Sequence, residues 1–319
     1  ALRGRSEGGH AFKDGGRGQA GGYRGRGESD TMLRCLGVMR EVQNSPNRET
    51  DDALILKAVL SQLETLGISV RLMTPESVDR HDPSGWDLIL PMCEAYPRLK
   101  RLEDLVQGSR ALWVNEPSSV FNCYRLRMSE LLGKASEVRF PPTQARPVSE
   151  GAGRGPSMED GGLGWWIKRG DVHNTCDHDV VFARDWTMAG RIIEDFARRE
   201  ITHYVVSPHV EGDLVKFYGV GPGRWFTWFY HDPVRTKRLP FTLDSLAGMA
   251  GAGAKALGLE IFGGDAIISR GGAVTLLDVN SWPSFAKVRE EAAVQISWHL
   301  QSRLLAGRGR LQAAGKRSK

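Results

Sequence analysis

The chain has 319 residues, with 43 Lys and Arg against 38 Asp and Glu, and 40% of it is hydrophobic. That length fits one large domain or two to three small ones, and that apolar content fills real cores. No apolar run reaches the ~18 residues of a membrane span, and no apolar h-region opens the chain, so neither a transmembrane helix nor a secretory signal is expected. The formal charge of +5 is mild and concentrates at the two ends. Cys35, Cys93, Cys123 and Cys176 lie far apart with no CxxC pair. A disulfide framework is therefore not expected, and a reduced, cytoplasmic setting fits best.

Two-thirds of residues 1–30 are Gly, Arg, Ser, Glu or Gln, with Phe12 and Tyr23 the large aromatic side chains among them. Such a segment cannot offset its ordering entropy and is expected to be disordered. GGRG and GGYRGRG resemble the RGG tails of RNA-binding proteins, a route to single-stranded nucleic acid through charge and stacking. The plainer reading is a floppy leader, since Met32 opens the first apolar run. LRCLGVM (33–39) then reads as a strand, DDALILKAVLSQLETLG (51–67) as a helix with a Gly stop, and ISVRLM (68–73) as a second strand. DLILPM (87–92) and ALWVN (111–115) are two more strands, with a charged helix between them. This alternation predicts a small parallel sheet of Rossmann type, without the GxGxxG dinucleotide fingerprint.

SSVFNCYRLRMSELLG (118–133) reads as one helix. The Gly-rich stretch 149–164 reads as an interdomain linker or a mobile loop. Beyond it WWIKR, DVVFA, HYVVS, DLVKFYGV and RWFTWFY read as successive strands, several antiparallel, interrupted by a helix at 188–200. A helix at 242–258 precedes two strands, 259–270 and 273–280, joined by a turn at Gly271–Gly272. A final helix is predicted over 285–306, and the basic end GRGRLQAAGKRSK is expected to fray. The pattern is an α/β domain followed by an α+β domain.

Asp278 and Asn280 are two apart on one strand and share a face, with Asp265 on the other strand of the hairpin. Three oxygen ligands there suit Mg²⁺, which takes carboxylates and fills its shell with water and phosphate oxygens. The alternative is a set of polar strand-end residues capping a turn. Lys168 interrupts the apolar strand WWIKR, and Lys216 interrupts LVKFYGV. A lysine so placed needs a partner or must snorkel to solvent. Two inward lysines opposite a carboxylate cluster frame a magnesium nucleotide, because phosphoryl transfer needs charge neutralisation and positioning. His173, Cys176 and His178 share a polar loop. Its readings are a zinc cluster, histidines that contact phosphate or substrate, or plain loop composition. Arg235, Lys237 and Arg238 form either a solvated charge run or a site for a substrate anion, with Arg235 then acting in catalysis.

Taken in this order, residues from about 33 to about 300 resemble the ATP-grasp superfamily. WVNEPSSVFNCYRLRMSELL followed by RFPPT is similar to the family's Asn–Pro turn, helix with a phosphate-binding Lys, and Pro-Pro-Thr strand; Arg125 stands where that Lys is usual. The resemblance implies an ATP-grasp fold preceded by a small Rossmann-like parallel α/β domain. The domains would be 31–116 and 117–307, with 1–30 and 308–319 as tails. It implies that Arg125 and Lys168 bind nucleotide phosphates and that RGDVHNTCDHD, with His178, replaces the glycine-rich phosphate loop. YVVSPHVEGD would be the hinge that receives adenine, with Val206 and His209 in it and Glu211 or Asp213 on the ribose hydroxyls. Lys216 would reach the γ-phosphate, and Asp265, Asp278 and Asn280 would hold the metal.

The implied cofactors are ATP and Mg²⁺, and the implied partner is a small-molecule acceptor. No membrane partner is expected, nucleic acid could enter only through the N-terminal tail, and a homodimer is in keeping with the family. The leading reaction is a carboxylate–amine ligation through an acyl phosphate, as in glutathione-synthetase-like and ribosomal-protein glutamate-ligase-like members. The interval between Lys216 and the following helix lacks the Asn and paired Gly usual in those ligases. The alternative is a kinase of a small polyol or inositol phosphate, which DLVKFYGVG and LLDVNSWPSFAKV also resemble. A nucleotide-binding protein without activity is a third reading.

Overall fold

The computed structural model describes residues 32–44, 49–80, 85–156, 162–171 and 176–317, the side chains of 49 and 308–317 excepted. The RGG-like segment, His173 and part of the 149–164 stretch lie outside the described residues.

The first layer is built from β1 (Arg34–Val38), α1 (Glu49–Thr65), β2 (Ser69–Met73), the single turn α2 (Pro75–Val78), β3 (Leu88–Pro91), α3 (Tyr96–Gly108) and β4 (Leu112–Trp113). The four strands form a parallel sheet in the order β2-β1-β3-β4. All four residues of β3 are buried, as a central parallel strand covered on both faces requires. This is the Rossmann-like arrangement that the alternation of strands and helices predicts.

The segment read as one helix over 118–133 is two. α4 (Pro117–Asn122) ends at Cys123, and α5 (Arg125–Lys134) starts after Tyr124, whose backbone is extended. The Tyr124 hydroxyl donates to the Glu94 carbonyl, which ties the break to the end of β3. The break places Arg125 in the first turn of α5.

A second, antiparallel sheet joins β5 (Gln144–Pro147), β6 (Trp165–Arg169), β7 (Val180–Ala183) and β8 (His203–Pro208) in the order β5-β8-β6-β7, with α6 (Trp186–Arg198) against it. β5 and β6 both pair with β8. The 149–164 stretch is therefore a connection inside one sheet, not an interdomain linker.

The third sheet is β10-β9-β11-β12, built from β9 (Asp213–Val220), β10 (Trp225–Tyr230), β11 (Ile261–Ile268) and β12 (Val274–Ser281). The irregular turn α7 (Gly221–Arg224) links β9 to β10, and α8 (Leu243–Leu257) packs under the sheet through Leu246, Ala250, Ala254 and Leu257. The last helix, α9 (Arg289–Arg317), runs past the expected end near 306. Ile296 and Leu300 of α9 share a core with Ile55, Leu56 and Val59 of α1 and with the ends of β9 and β11. No described helix is long and apolar enough to cross a membrane.

Candidate nucleotide and acceptor site

Cross-strand register builds the centre of the site. Phe229 of β10 stands opposite Lys216 of β9, Lys216 opposite Asp265 of β11, and Asp265 opposite Asp278 of β12. Directly opposed residues share a face about 5 Å apart, so this row runs ring, cation, anion, anion across the sheet. One step along, Tyr218, Gly263 and Asn280 form the next row on the same face. A β-bulge follows Asp265, where the register shifts so that Ala266 pairs with Leu276. The extra residue bends β12 beside Asp278, a device common next to functional sites.

The Lys216 ammonium lies 2.7 Å from Asp265 Oδ1. Partial burial pushes the Asp265 carboxyl up from its ordinary range, and Lys216 opposes that shift. Asn280 Nδ2 donates to Asp278 Oδ2 at 3.3 Å. No group of three or more His, Cys, Asp or Glu poised around a metal occurs among the described residues. The donor set is instead two facing carboxylates and one amide. That set fits Mg²⁺, which takes one or two carboxylates and completes its shell with water and phosphate oxygens.

A cavity of about 430 Å³ opens between this sheet and the second one. Arg125, Lys168, Asp265 and Asp278 line its polar end. Trp166, Pro208, Val210, Leu214, Ile267 and Leu277 line an apolar remainder. Burial pushes the Lys168 ammonium down to about 8, Arg125 beside it adds to the shift, and Asp278 and Asp265 oppose it. Burial likewise lowers Arg125, opposed by Asp278 and Asp179. Arg125 Nη1 donates to the Arg169 carbonyl at 3.1 Å, which links α5 to β6. Two cations face two carboxylates across a space fit for a polyanion with a flat apolar end.

The structure brings together Arg125, Lys168, Lys216, Asp265, Asp278, Asn280 and His209, but not every expected residue. Ser207 through Val210 line the cavity, as a hinge would. Val206 does not; its side chain is in the core, and it pairs with Gln144 and Ile167. His209 Nδ1 accepts from the Trp166 indole N–H at 3.2 Å, and the His209 amide donates to the Gly164 carbonyl. Glu211 is exposed and lines no cavity described here. The carboxylate of Asp213 accepts from the backbone amides of Lys237 and Leu239, both at 2.7 Å, so it anchors the basic loop rather than a ribose. Arg235, 89% exposed, pairs with Asp232 and does not line this cavity. His178 lines a groove against α6, outside this cavity. Cys176 bonds with Asp179 and Arg199, an ion-pair anchor at this end of the loop, while His173, the third member of the expected cluster, lies outside the described residues.

Sequence reasoning missed a second cavity of about 220 Å³ on the far side of Asp265. Lys216, Tyr218, Phe229, Asn280, Ser284 and Lys287 contribute to its wall. Tyr218 could have been found from Lys216 by the period of two. Phe229 needed the strand register, and Lys287 needed the path of the chain after β12.

That path is fixed from the first sheet. The Arg40 guanidinium donates to the Trp282 carbonyl at 2.8 Å and the Ser281 carbonyl at 3.1 Å, and pairs with Asp52 and Glu94. Asn115 Nδ2 donates to the Ser281 hydroxyl at 2.9 Å and to the Ile261 carbonyl at 2.7 Å. The Trp282 indole donates to the Val114 carbonyl at 3.1 Å.

No family model matches the sequence, and no curated protein matches it. Solved structures do. The chain is similar to the D-alanine–D-alanine ligase of Bacillus anthracis complexed with ATP, at 12% identity and a TM-score of 0.60, over 88% of this chain and 99% of that one. It is similar to the D-cycloserine synthetase DcsG at 17% identity and a TM-score of 0.61, over 85% and 99%. A RimK domain ATP-grasp protein of Sphaerobacter thermophilus matches at 15% identity and a TM-score of 0.60, over 84% and 99%. With a parallel sheet followed by two antiparallel sheets that enclose a cavity, the chain adopts the ATP-grasp fold.

Proposed function

We infer that this protein is a Mg²⁺- and ATP-dependent ligase that activates a carboxylate and joins it to an amine. The observation that carries the reading is the row Lys216–Asp265–Asp278, which separates the larger cavity from the smaller one. A phosphoryl donor on one side and an acceptor on the other would meet at that row. The ligase and synthetase names of the structural neighbours support the same reading.

Trp166, Pro208 and Leu214 form the apolar end for the adenine, and Lys168 and Arg125 neutralise the phosphates as they bind. Asp265, Asp278 and Asn280 would hold Mg²⁺, which supplies charge neutralisation on the phosphates. Lys216, beside the same carboxylate, would face the γ-phosphoryl group. A carboxylate oxygen of the acceptor attacks the γ-phosphorus as the bond to ADP breaks. The amine then displaces phosphate from the acyl carbon and loses a proton to solvent.

The kinase alternative has less support. The basic loop that would suit a polyphosphate lies away from both cavities, with Arg235 in solvent. The test is ³¹P NMR of ATP turnover with pools of carboxylic acids and amines. Inorganic phosphate formed only when both substrates are present is expected. A new phosphate ester without free phosphate would overturn the ligase reading.

A further inference from the structure

The smaller cavity has a chemical bias. Its volume, about 220 Å³, is below the roughly 300–1,000 Å³ of sites for drug-sized ligands. Tyr218 and Phe229 meet at its wall with ring centroids 5.5 Å apart, and Phe285 backs Tyr218 at 4.8 Å. The Lys287 ammonium lies 3.9 Å above the Phe229 ring and makes no ion pair among the described residues. The second cation on the wall is Lys216. Asp265 is the one acidic residue among the residues lining the cavity, and Lys216 engages it.

The wall is also held in place. Trp282 and Phe285 are fully buried, yet both have positive φ, 44° and 49°. Bulky residues adopt that region only where the surroundings force it, and such strain gathers at functional sites. Burying these two rings leaves Ser284 and Lys287 on the cavity side of the segment.

A zwitterionic amino acid needs an acidic partner for its ammonium, and this wall has none to spare. A second carboxylate, in contrast, finds Lys287. We propose that the smaller cavity takes a short dicarboxylic acid, or another small carboxylic acid with a second anionic group and no free amine. Lys287 holds one carboxylate against Phe229, and the other carboxylate points to Lys216. This rests on the ligase reading and narrows its acceptor.

The test is calorimetric titration of the full chain, loaded with Mg²⁺ and a non-hydrolysable ATP analogue. The probes are glutarate, glutamate and a myo-inositol phosphate, against wild type, Lys287→Met and Lys287→Arg. Glutarate is expected to bind more tightly than glutamate. Lys287→Met is expected to weaken glutarate about ten- to hundredfold, the size of a lost charge-assisted hydrogen bond, and Lys287→Arg to restore most of it. No glutarate binding, equal binding by Lys287→Met, or preference for glutamate or the inositol phosphate would overturn the proposal. The ligase reading fails separately: Lys287-dependent glutarate binding with no ADP formed from ATP, glutarate and hydroxylamine would sink the reaction but keep the anion site.

Discussion

Lys216 and Asp265 stand directly opposite each other in the β9–β11 ladder, and their charged ends are 2.7 Å apart. The pair neutralises a carboxylate that faces a second one, Asp278, in the next strand. Without a counter-charge the two carboxylates would repel. Both partners are about one-third exposed, 34% and 29%, so solvent screens the pair and its share of stability is small. Asp265→Asn is therefore expected to change unfolding stability by less than about 1 kcal/mol. Loss of a metal ligand should lower turnover by about a hundredfold or more. Urea unfolding and ATP consumption measured on one preparation separate the effects. Normal turnover in Asp265→Asn would remove the residue from the metal set.

Asp278→Asn tests the same row without touching Lys216. Turnover should fall at least as far as in Asp265→Asn, and the Mg²⁺ concentration for half-maximal rate should rise. A magnesium titration of the ATP-dependent rate reads both. Unchanged magnesium dependence would move the metal away from Asp278.

Lys168 predicts a pH dependence. Its folded pKa is down at about 8, from an ordinary 10.5. Below pH 8 the ammonium is present and attracts phosphate. As pH rises through 8 it loses its proton, and nucleotide affinity should fall toward about tenfold per pH unit. In Lys168→Arg the charge persists and the profile should be flat over pH 7–9. The measurement is ADP binding against pH for both proteins. An equally steep profile in Lys168→Arg would assign the titration to another group.

Arg40 joins the first sheet to the end of β12. It is 10% exposed, pairs with Asp52 and Glu94, and donates to the Ser281 and Trp282 carbonyls. Its guanidinium is held above its ordinary pKa: burial works against the charge, and Glu94, Asp52 and Glu41 outweigh it. Arg40→Met leaves those carboxylates without their cation. A cost of about 3–5 kcal/mol follows from the usual penalty for breaking a buried pair. Thermal unfolding at pH 7 measures it. A milder loss when Arg40→Met is combined with Asp52→Asn and Glu94→Gln, which remove the stranded charges, would identify uncompensated charge as the cause.

Gly264 precedes Asp265 in β11 and stands opposite Phe217 of β9 and Val279 of β12. A Cβ there would come within 2.1 Å of the Asp278 carbonyl oxygen and 2.7 Å of the Phe217 ring. Backbone oxygen cannot yield as a flexible side chain does. Gly264→Ala should cost about 1–3 kcal/mol and displace β12. Magnesium-dependent turnover should then fall by more than the stability loss explains, as activity below the unfolding transition would show.

The sequence by itself determined most strands and helices, because apolar residues repeat every two or every three to four positions and Gly and Pro mark the ends. It also determined the polar interruptions Lys168, Lys216, Asp265 and Asp278, since a charge inside an apolar strand is costly unless it is used. Their order along the chain carried the fold resemblance. Tertiary structure alone decided which of the nominated groups meet. Asp213 carries the same charge as Asp265, but its carboxylate is spent on two amides of the basic loop. Arg235 is as cationic as Arg125, yet one is in solvent and the other sits at the head of α5 because the helix breaks at Tyr124. The second cavity was invisible in the sequence for the same reason. Phe229, Lys216 and Lys287 are far apart in the chain, and only strand register and the buried anchors Trp282 and Phe285 bring them to one wall. Local periodicity fixes which face a side chain takes, while long-range pairing fixes what that face meets.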